Sequence, residues 1–134
     1  GTGARITNIE PDWSEISVKV PLNWRTRNYV GVIYGGSMYG AVDPLYMMML
    51  LNRLDDEYVV WDKAASIDFK KPGRETLYGT CKITDEEIAA IKADLRDQES
   101  TERVYTVRLT DENGTVHAVI RKTVYVSTDQ SKAA

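Results

Sequence analysis

Residues 30–51 read VGVIYGGSMYGAVDPLYMMMLL, the most apolar segment of this chain of 134 residues. The segment from Gly36 to about Leu54 predicts the principal helix of the protein. It is hydrophobic nearly all round, which in a soluble protein indicates a helix wrapped by other structure. Its single carboxylate, Asp43, stands immediately before Pro44. An Asp-Pro pair inside so apolar a segment serves either to start a helix or to carry chemistry.

The same segment has about the length that a membrane-spanning helix needs, and its glycines match the G-x-x-x-G pattern twice. However, an Asp near the middle of a span costs about 2.5–3.5 kcal/mol on insertion scales. The glycines and the Asp-Pro pair also interrupt the continuous helix that a span requires. We therefore predict that the segment is a buried helix and that the protein does not associate with a membrane.

Two geometries are open for Asp43. Asp is a preferred N-cap residue and proline is favoured at the first helical position, so the helix could begin at Pro44 with Asp43 as its cap. Alternatively the helix begins at Gly36, and the ring of Pro44 meets the carbonyl of Gly40 and distorts the helix beside Asp43. A carboxyl group in such apolar surroundings should have a raised pKa, as a general base or nucleophile requires. The residues alone leave both geometries open.

Alternation of apolar and polar residues predicts strands on both sides of this helix. The predicted strands cover residues 4–9, 14–20, 57–70, 76–83, 103–110 and 115–127. In the third of them we expect one face to consist of Val59, Trp61, Ala65, Ile67 and Phe69. Asn113-Gly114 is a strong hairpin signal and should join the last two strands.

A second, amphipathic helix is predicted over residues 84–97. Thr84 and Glu87 have the spacing of a capping box, and Ile88, Ile91 and Leu95 recur at helical intervals. One buried helix with five or six strands predicts an α+β protein in which a curved antiparallel sheet wraps around the helix. With no linker or repeat in the sequence, we expect a single domain over residues 1–134.

Composition excludes several classes of protein. A formal net charge of −3 argues against a general nucleic-acid binder. One cysteine and one histidine leave almost nothing for a zinc site, so no metal is expected. Cys81 lies on the apolar face of its strand and is predicted to be a buried thiol, and His117 is predicted to face solvent. The single cysteine and the absence of a leader-like opening indicate a cytoplasmic protein.

Residues 28–43, NYVGVIYGGSMYGAVD, resemble the signature of hotdog-fold acyl-CoA thioesterases of the phenylacetyl-CoA type. That signature has an Asn, His-Gly-Gly six residues later, and an Asp nine residues after the His. The residues at matching positions here are Asn28, Gly35, Gly36 and Asp43, and Tyr34 stands at the histidine position. The segment IDFKKPGRETLYGTCKI resembles the strand-turn-strand that follows the central helix in these proteins. The helix at 84–97 resembles that of an uncharacterised thioesterase-like subfamily.

The resemblance implies a hotdog fold, with five or six antiparallel strands around one long central helix and a short inserted helix. It implies a thioesterase in which Gly35 and Gly36 offer backbone N–H groups to the oxyanion and Asp43 activates water or attacks the thioester carbonyl. Asn28 would orient the water or the carbonyl. A hydrogen bond from the hydroxyl of Tyr34 would replace the family's histidine. The site would lie between two subunits of a homodimer or homotetramer.

The resemblance implies coenzyme A as part of the substrate and no separate cofactor. Because coenzyme A is anionic, an acidic protein must offer it a local basic patch. The candidate residues are Arg25, Arg27, Lys70, Lys71 and Arg74, although these charges could equally serve only to solvate a loop and a turn. Two other functions stay open on the sequence: a non-catalytic acyl- or lipid-binding module, and a dimerisation domain in which Asp43 is only a helix cap.

Overall fold

The computed structural model describes residues 5–20, 42, 44–71 and 76–128 of the chain. Within them six strands form one antiparallel sheet in the order β1-β2-β4-β5-β6-β3, so β1 and β3 are its edges. The strands are β1 (Arg5–Ile9), β2 (Glu15–Val20), β3 (Tyr58–Phe69), β4 (Leu77–Lys82), β5 (Ser100–Thr110) and β6 (Val116–Thr128), and the helices are α1 (Leu45–Arg53) and α2 (Asp85–Asp97). This is the predicted α+β class, and all six predicted strands are confirmed.

The helix α1 begins after Pro44 and ends at Arg53, close to the end predicted from the sequence. Pro44 has helical backbone angles and its carbonyl accepts a hydrogen bond from the N–H of Met48. The described helix is therefore nine residues long. Of the predicted extension back to Gly36, Val42 is described as helical and fully buried, and residues 36–41 and 43 lie outside the described residues. Four side chains of α1 are buried: Leu45, Tyr46, Met49 and Leu50.

The core lies between α1 and the inner face of the sheet. Alternate residues of each central strand point into it, so β2 buries Ile16, Val18 and Val20 while its other residues are partly exposed. In the same way β5 buries Tyr105, Val107 and Leu109. This period of two is the geometry of a pleated strand with one covered face. Residues opposite these positions on the neighbouring strands point to the same inner face.

The edge strand β3 departs from its predicted face. A bulge between Asp62 and Ala64 shifts the register, so that Trp61 lies opposite Tyr125 and Ala65 lies opposite Lys122. Neighbouring positions on β6 point to opposite sides, so the bulge separates residues that simple alternation placed together. The prediction that Val59 and Trp61 share a face with Ala65, Ile67 and Phe69 was therefore wrong. The inner face of β3 carries Val60, Asp62, Ala65, Ile67 and Phe69.

The helix α2 is confirmed with its cap. The hydroxyl of Thr84 accepts a hydrogen bond from the N–H of Glu87 at 3.1 Å, and Ile88, Ile91 and Leu95 are the buried residues of the helix. Only half of the capping box forms, because the side chain of Glu87 turns instead toward β5. At the other side of the core, Arg53 of α1 donates to the carbonyl of Ile83. These contacts fix α2 between β4 and β5.

The predicted hairpin between β5 and β6 is also confirmed. Gly114 has φ +84°, whereas Asn113 does not have a positive φ. The connection is therefore not the two-residue turn with two left-handed residues, but a longer turn closed by Gly114. Asp111 holds it, since its carboxylate accepts hydrogen bonds from the N–H groups of Asn113 and Thr115 at 2.9 and 3.1 Å.

Candidate functional site

Two stacked tyrosines join α1 to the inner face of the sheet. The rings of Tyr46 on α1 and Tyr105 on β5 lie 4.8 Å apart and 13° from parallel. The hydroxyl of Tyr105 donates to Glu87 at 2.8 Å, and that of Tyr46 points at the carbonyl of Thr106 at 3.4 Å. Burial raises the pKa of both hydroxyls, so they are neutral hydrogen-bond donors.

Cys81 lies beside Tyr46 and is fully buried, as the sequence predicted. Desolvation raises the pKa of its thiol to about 11, and a hydrogen bond with Tyr46 opposes that rise. A nucleophilic cysteine needs its thiolate at neutral pH, and this environment disfavours the thiolate. Cys81 is therefore a core residue.

A charged pair lies on the inner face at the β3 edge. Lys122 of β6 is only 2% exposed, and its ammonium lies 3.4 Å from the carboxylate of Asp62. Buried charges are retained in proteins only when they are paired or used in function. The sequence analysis missed this pair, although Lys122 continues the inward-facing series of Ala118 and Ile120. This alternation along β6 was the signal that could have identified Lys122 as an inward-facing residue.

A second polar cluster connects α2 to β5. Arg103 donates to both carboxylate oxygens of Glu87 and, at 3.1 Å, to the carboxylate of Asp94. Asp94 also accepts from the hydroxyl of Thr101 at 2.9 Å. The two carboxylates raise the pKa of the Arg103 guanidinium, chiefly through the hydrogen bond with Glu87. All of these groups are satisfied by one another, and the cluster fixes the position of α2.

The residues predicted to carry chemistry lie mostly outside the described part of the chain. Those outside are Arg25, Arg27, Asn28, Tyr34, Gly35, Gly36, Asp43 and Arg74. Of the predicted basic patch, Lys70 and Lys71 are described and follow the end of β3. Lys70 forms an ion pair with Asp68 at 2.6 Å, and the N–H groups of both lysines bond to the carbonyl of His117. Lys71 is exposed, so one of the two ammonium groups stands beside a carboxylate and the other faces solvent.

His117 was predicted to face solvent, and that prediction was wrong. The residue is 3% exposed, its Nε2 lies 2.8 Å from Asp111, and its Nδ1 lies 3.2 Å from the carbonyl of Lys71. The turn held by Asp111 covers the ring, so alternation along the strand does not decide its exposure. The pair ties the β5–β6 turn to the end of β3. Its hydrogen bond is the main cause of the lowered pKa of Asp111.

Among the described residues, no group of three or more His, Cys, Asp or Glu side chains could hold a metal ion. Within the same ranges, no helix is long and apolar enough to span a membrane.

The fold is that of several solved thioesterases. The chain is similar to the probable thioesterase PA5026 from Pseudomonas aeruginosa, with 19% identity and a TM-score of 0.75 over 95% of this chain and 84% of that one. It is also similar to thioesterase HI1161 from Haemophilus influenzae, with 15% identity and a TM-score of 0.64 over 96% and 80% of the two chains. For a mutant form of thioesterase PA1618 from P. aeruginosa the identity is 16% and the TM-score 0.65, over 95% and 83%. These likenesses show that the chain has an α+β, hotdog-like fold.

The chain belongs to the family described as Domain of unknown function (DUF4442), whose model matches residues 1–126. No curated protein matches the chain.

Proposed function

We propose that the protein is a thioesterase that hydrolyses an acyl-CoA or a related acyl thioester. The observation that carries the proposal is the position of the sequence signature. Its last residue, Asp43, precedes the start of α1 at Leu45 by two residues, and α1 packs on the inner face of a thioesterase-like sheet. The resemblance to phenylacetyl-CoA thioesterases and the three structural neighbours support the same reaction class.

In the proposed reaction a water molecule attacks the thioester carbonyl and Asp43 takes its proton. The backbone N–H groups of Gly35 and Gly36 hold the oxyanion of the tetrahedral intermediate, and Asn28 orients the water or the carbonyl. Collapse of the intermediate breaks the C–S bond, so that a carboxylic acid and a thiol leave. Direct attack by Asp43 through an acyl-enzyme anhydride is the variant of the same scheme.

The basic groups that precede α1 and follow β3 are proposed to bind the phosphates of coenzyme A. Lys70 is half-exposed and paired with Asp68, so its charge is partly neutralised before a ligand arrives. Lys71 is exposed, and its backbone is held in place by hydrogen bonds with His117. Lys71 is therefore the stronger of the two described contributors, and Arg25, Arg27 and Arg74 would complete the patch.

We further propose that two copies pair through the outer edge of β3, the side away from β6. This strand has twelve residues and, within the described part of the chain, one neighbouring strand, β6, so its other side has no strand partner there. Trp61 on this strand is 61% exposed and stacks on Tyr125 at 6.2 Å. Antiparallel pairing of two such edges about a two-fold axis would continue the sheet and bring Asp62 and Lys122 to the subunit boundary.

The catalytic proposal is tested with a panel of acyl-CoA substrates and the variant Asp43→Asn. The amide keeps the size of the side chain but cannot take a proton, so we expect a loss of kcat of about a hundredfold or more. The matched control is Asp97→Asn at the exposed end of α2, which should retain full activity. Absence of turnover over the whole panel, or full activity of Asp43→Asn, would refute the assignment.

Tyr34 at the histidine position favours one competing function, an acyl-binding module without catalysis. In that case the protein binds acyl-CoA without hydrolysing it, and Tyr34→His gains activity. If the wild-type protein turns over a thioester, this alternative is rejected.

The pairing of two copies is tested by sedimentation equilibrium over a range of protein concentrations. Trp61→Glu places a charge beside the proposed boundary and should shift the population toward monomer. Val104→Glu is the matched control, since Val104 is equally exposed but lies on β5, away from the edge. A wild-type protein that is monomeric at every concentration contradicts the pairing, as does equal dissociation of both variants.

A further inference from the structure

The chain just beyond the end of β3 is held by one residue of β6. Pairing of the two strands ends at Phe69, which lies opposite Ala118. The next two residues, Lys70 and Lys71, both donate their N–H groups to the carbonyl of His117, at 2.9 and 3.2 Å. The carbonyl of Lys71 lies 3.2 Å from Nδ1 of the same histidine. His117 therefore contacts three backbone groups of a segment that lies beyond the strand.

The orientation of the His117 ring is fixed from its other side by Asp111. Nε2 lies 2.8 Å from the carboxylate of Asp111. Because the carbonyl of Lys71 can only accept, Nδ1 carries the proton of the hydrogen bond to it. Asp111 in turn accepts from the N–H groups of Asn113 and Thr115 in the β5–β6 turn. His117 and Asp111 are 3% and 8% exposed, so the pair acts on a ligand only through the segment that it holds.

The side chains beside this pair form a positively charged patch on the surface. Lys71 is exposed, and within the described ranges it forms no ion pair. Lys70 is half-exposed and pairs with Asp68 at 2.6 Å. Arg121 on β6 is exposed and lies diagonally across from Asp68. The hydrogen bond from Lys70, followed by the charges of Lys70 and Arg121, lowers the pKa of the Asp68 carboxyl. The cations of the patch thus outnumber the acid that contacts them.

A phosphate group binds best to cations that are already in place. Lysine binds a phosphate as a point charge on a flexible side chain, so the position of its backbone determines where that charge can lie. Chain segments beyond the end of a strand are commonly mobile, and fixing them on binding costs conformational entropy. The three hydrogen bonds of His117 with Lys70 and Lys71 fix this backbone before a ligand arrives, which lowers the cost of binding.

We propose that the Asp111–His117 pair positions a subsite for the nucleotide phosphates of coenzyme A. The residues of the subsite that contact the phosphates are Lys70, Lys71 and Arg121. The inference rests on the proposed thioesterase function and adds positioning residues to it. The pair touches neither the thioester nor the phosphates. It holds the backbone of Lys71, so its loss changes the binding of the nucleotide and leaves the chemical step unchanged.

Binding is tested first on the wild-type protein. The probe is adenosine 3′,5′-bisphosphate, which resembles the nucleotide end of coenzyme A and has no thioester. In the ¹⁵N-labelled protein we expect saturable shifts of the amide resonances of Lys70, Lys71 and Arg121, with a Kd on the order of 1 mM. The ring nitrogens of His117, the one histidine of the chain, should shift with the same Kd although the ring is buried. Shifts that do not saturate, or a His117 ring that does not respond, would overturn the proposal.

Two variants of His117 separate its hydrogen bond to Lys71 from its contact with Asp111. The amide of His117→Gln reaches the position of Nε2, so it faces Asp111 but offers no donor to the carbonyl of Lys71. The amide of His117→Asn lies at the position of Nδ1 and still donates to that carbonyl. We expect His117→Gln to weaken binding of the bisphosphate about fivefold, and His117→Asn to stay within about twofold of the wild type. Equal weakening by the two variants contradicts the proposal.

The charge of the subsite is tested with Lys71→Gln. This change should weaken binding of the bisphosphate about threefold or more, since a charge-assisted contact is lost. The matched control is Lys82→Gln, which removes an exposed lysine at the far end of β4 and should bind like the wild type. If both variants weaken binding equally, the effect is one of net charge and the subsite is rejected.

The kinetic test compares an acyl-CoA with the same acyl group on pantetheine, which has the thioester but no phosphates. His117→Gln should raise KM for the acyl-CoA about fivefold with kcat unchanged, and leave both constants for the pantetheine thioester as in the wild type. A residue with only a structural role would affect the two substrates alike, and that result would overturn the proposal. If no thioester is hydrolysed but the bisphosphate binds with the variant pattern given above, the thioesterase assignment falls and the phosphate subsite stands.

Discussion

Removal of the Tyr105 hydroxyl is the sharpest test of how the inner polar cluster contributes to stability. That hydroxyl donates to a carboxylate at 2.8 Å, and bonds to charged groups contribute about 1.5–3 kcal/mol. In the variant Tyr105→Phe the carboxylate of Glu87 still accepts hydrogen bonds from Arg103, so it is not left without a donor. We therefore expect the lower end of that range, a loss of about 1.5 kcal/mol in the free energy of unfolding.

Tyr46→Phe is the matched control because its ring is stacked on Tyr105 and equally part of the core. Its hydroxyl lies 3.4 Å from the carbonyl of Thr106, beyond the usual range of about 2.5–3.0 Å for such bonds. The expected loss is therefore about 0.5 kcal/mol or less.

Urea unfolding at one fixed protein concentration measures the difference between the two variants. Tyr105→Phe should lower the midpoint by about 1 M, and Tyr46→Phe should leave it nearly unchanged. Equal midpoints for the two variants would refute the reasoning, because both lose one hydroxyl and only the partners differ. Burial, followed by the bond to Glu87, raises the pKa of Tyr105, so this stabilisation is present below the unfolded pKa of about 10 and declines above it.

Three further predictions concern the turns and the sheet. Gly114→Ala should cost about 1 kcal/mol in thermal or urea unfolding, since φ is +84° there, and an unchanged midpoint would contradict this. Gly79→Val should cost about 1–3 kcal/mol, because a Cβ meets the buried Leu109, and a stability equal to the wild type would show that β4 and β5 separate freely. Asp111→Asn should flatten the acid side of the stability curve: the lowered pKa of Asp111 gives a stabilisation present above the unfolded pKa of about 4 and lost below it. If the stability of the variant falls with decreasing pH in the same way as that of the wild type, the hydrogen bond between Asp111 and His117 does not contribute to stability.

The sequence predicted local structure well where one face of an element is covered. The strand β2 and the helix α2 were placed within one or two residues, because Ile16 and Val18 alternate and Ile88 and Ile91 recur at helical spacing. Such patterns arise because one face of the element is buried and the other is exposed. The fold class followed from them, and the structural neighbours agree with the hotdog-like fold that the resemblance implied.

The predictions that failed share one cause: the surroundings of a side chain depend on contacts with residues distant in the sequence. The bulge in β3 reverses the face of Trp61 without any glycine or proline to mark it. His117 alternates like a surface residue, but Asp111 in the neighbouring turn covers it. Lys122 looks like a break in an apolar series, but its side chain is buried and its ammonium lies 3.4 Å from the carboxylate of the exposed Asp62. The motif at residues 28–43 rests on its resemblance to a thioesterase signature, and the residues proposed to act there lie outside the described residues.

The inserted helix explains why β4 and β5 share one residue pair, Tyr78 with Thr110, whereas β5 and β6 share eleven. Two adjacent antiparallel strands are most simply joined by a turn of about two to five residues, and such a turn keeps them paired to the end. Here the thirteen residues of α2 stand in that connection, and a helix of this length spans about 20 Å. Arg53 and Arg103 tie α2 to α1 and to β5, so β4 and β5 must diverge to reach its two ends.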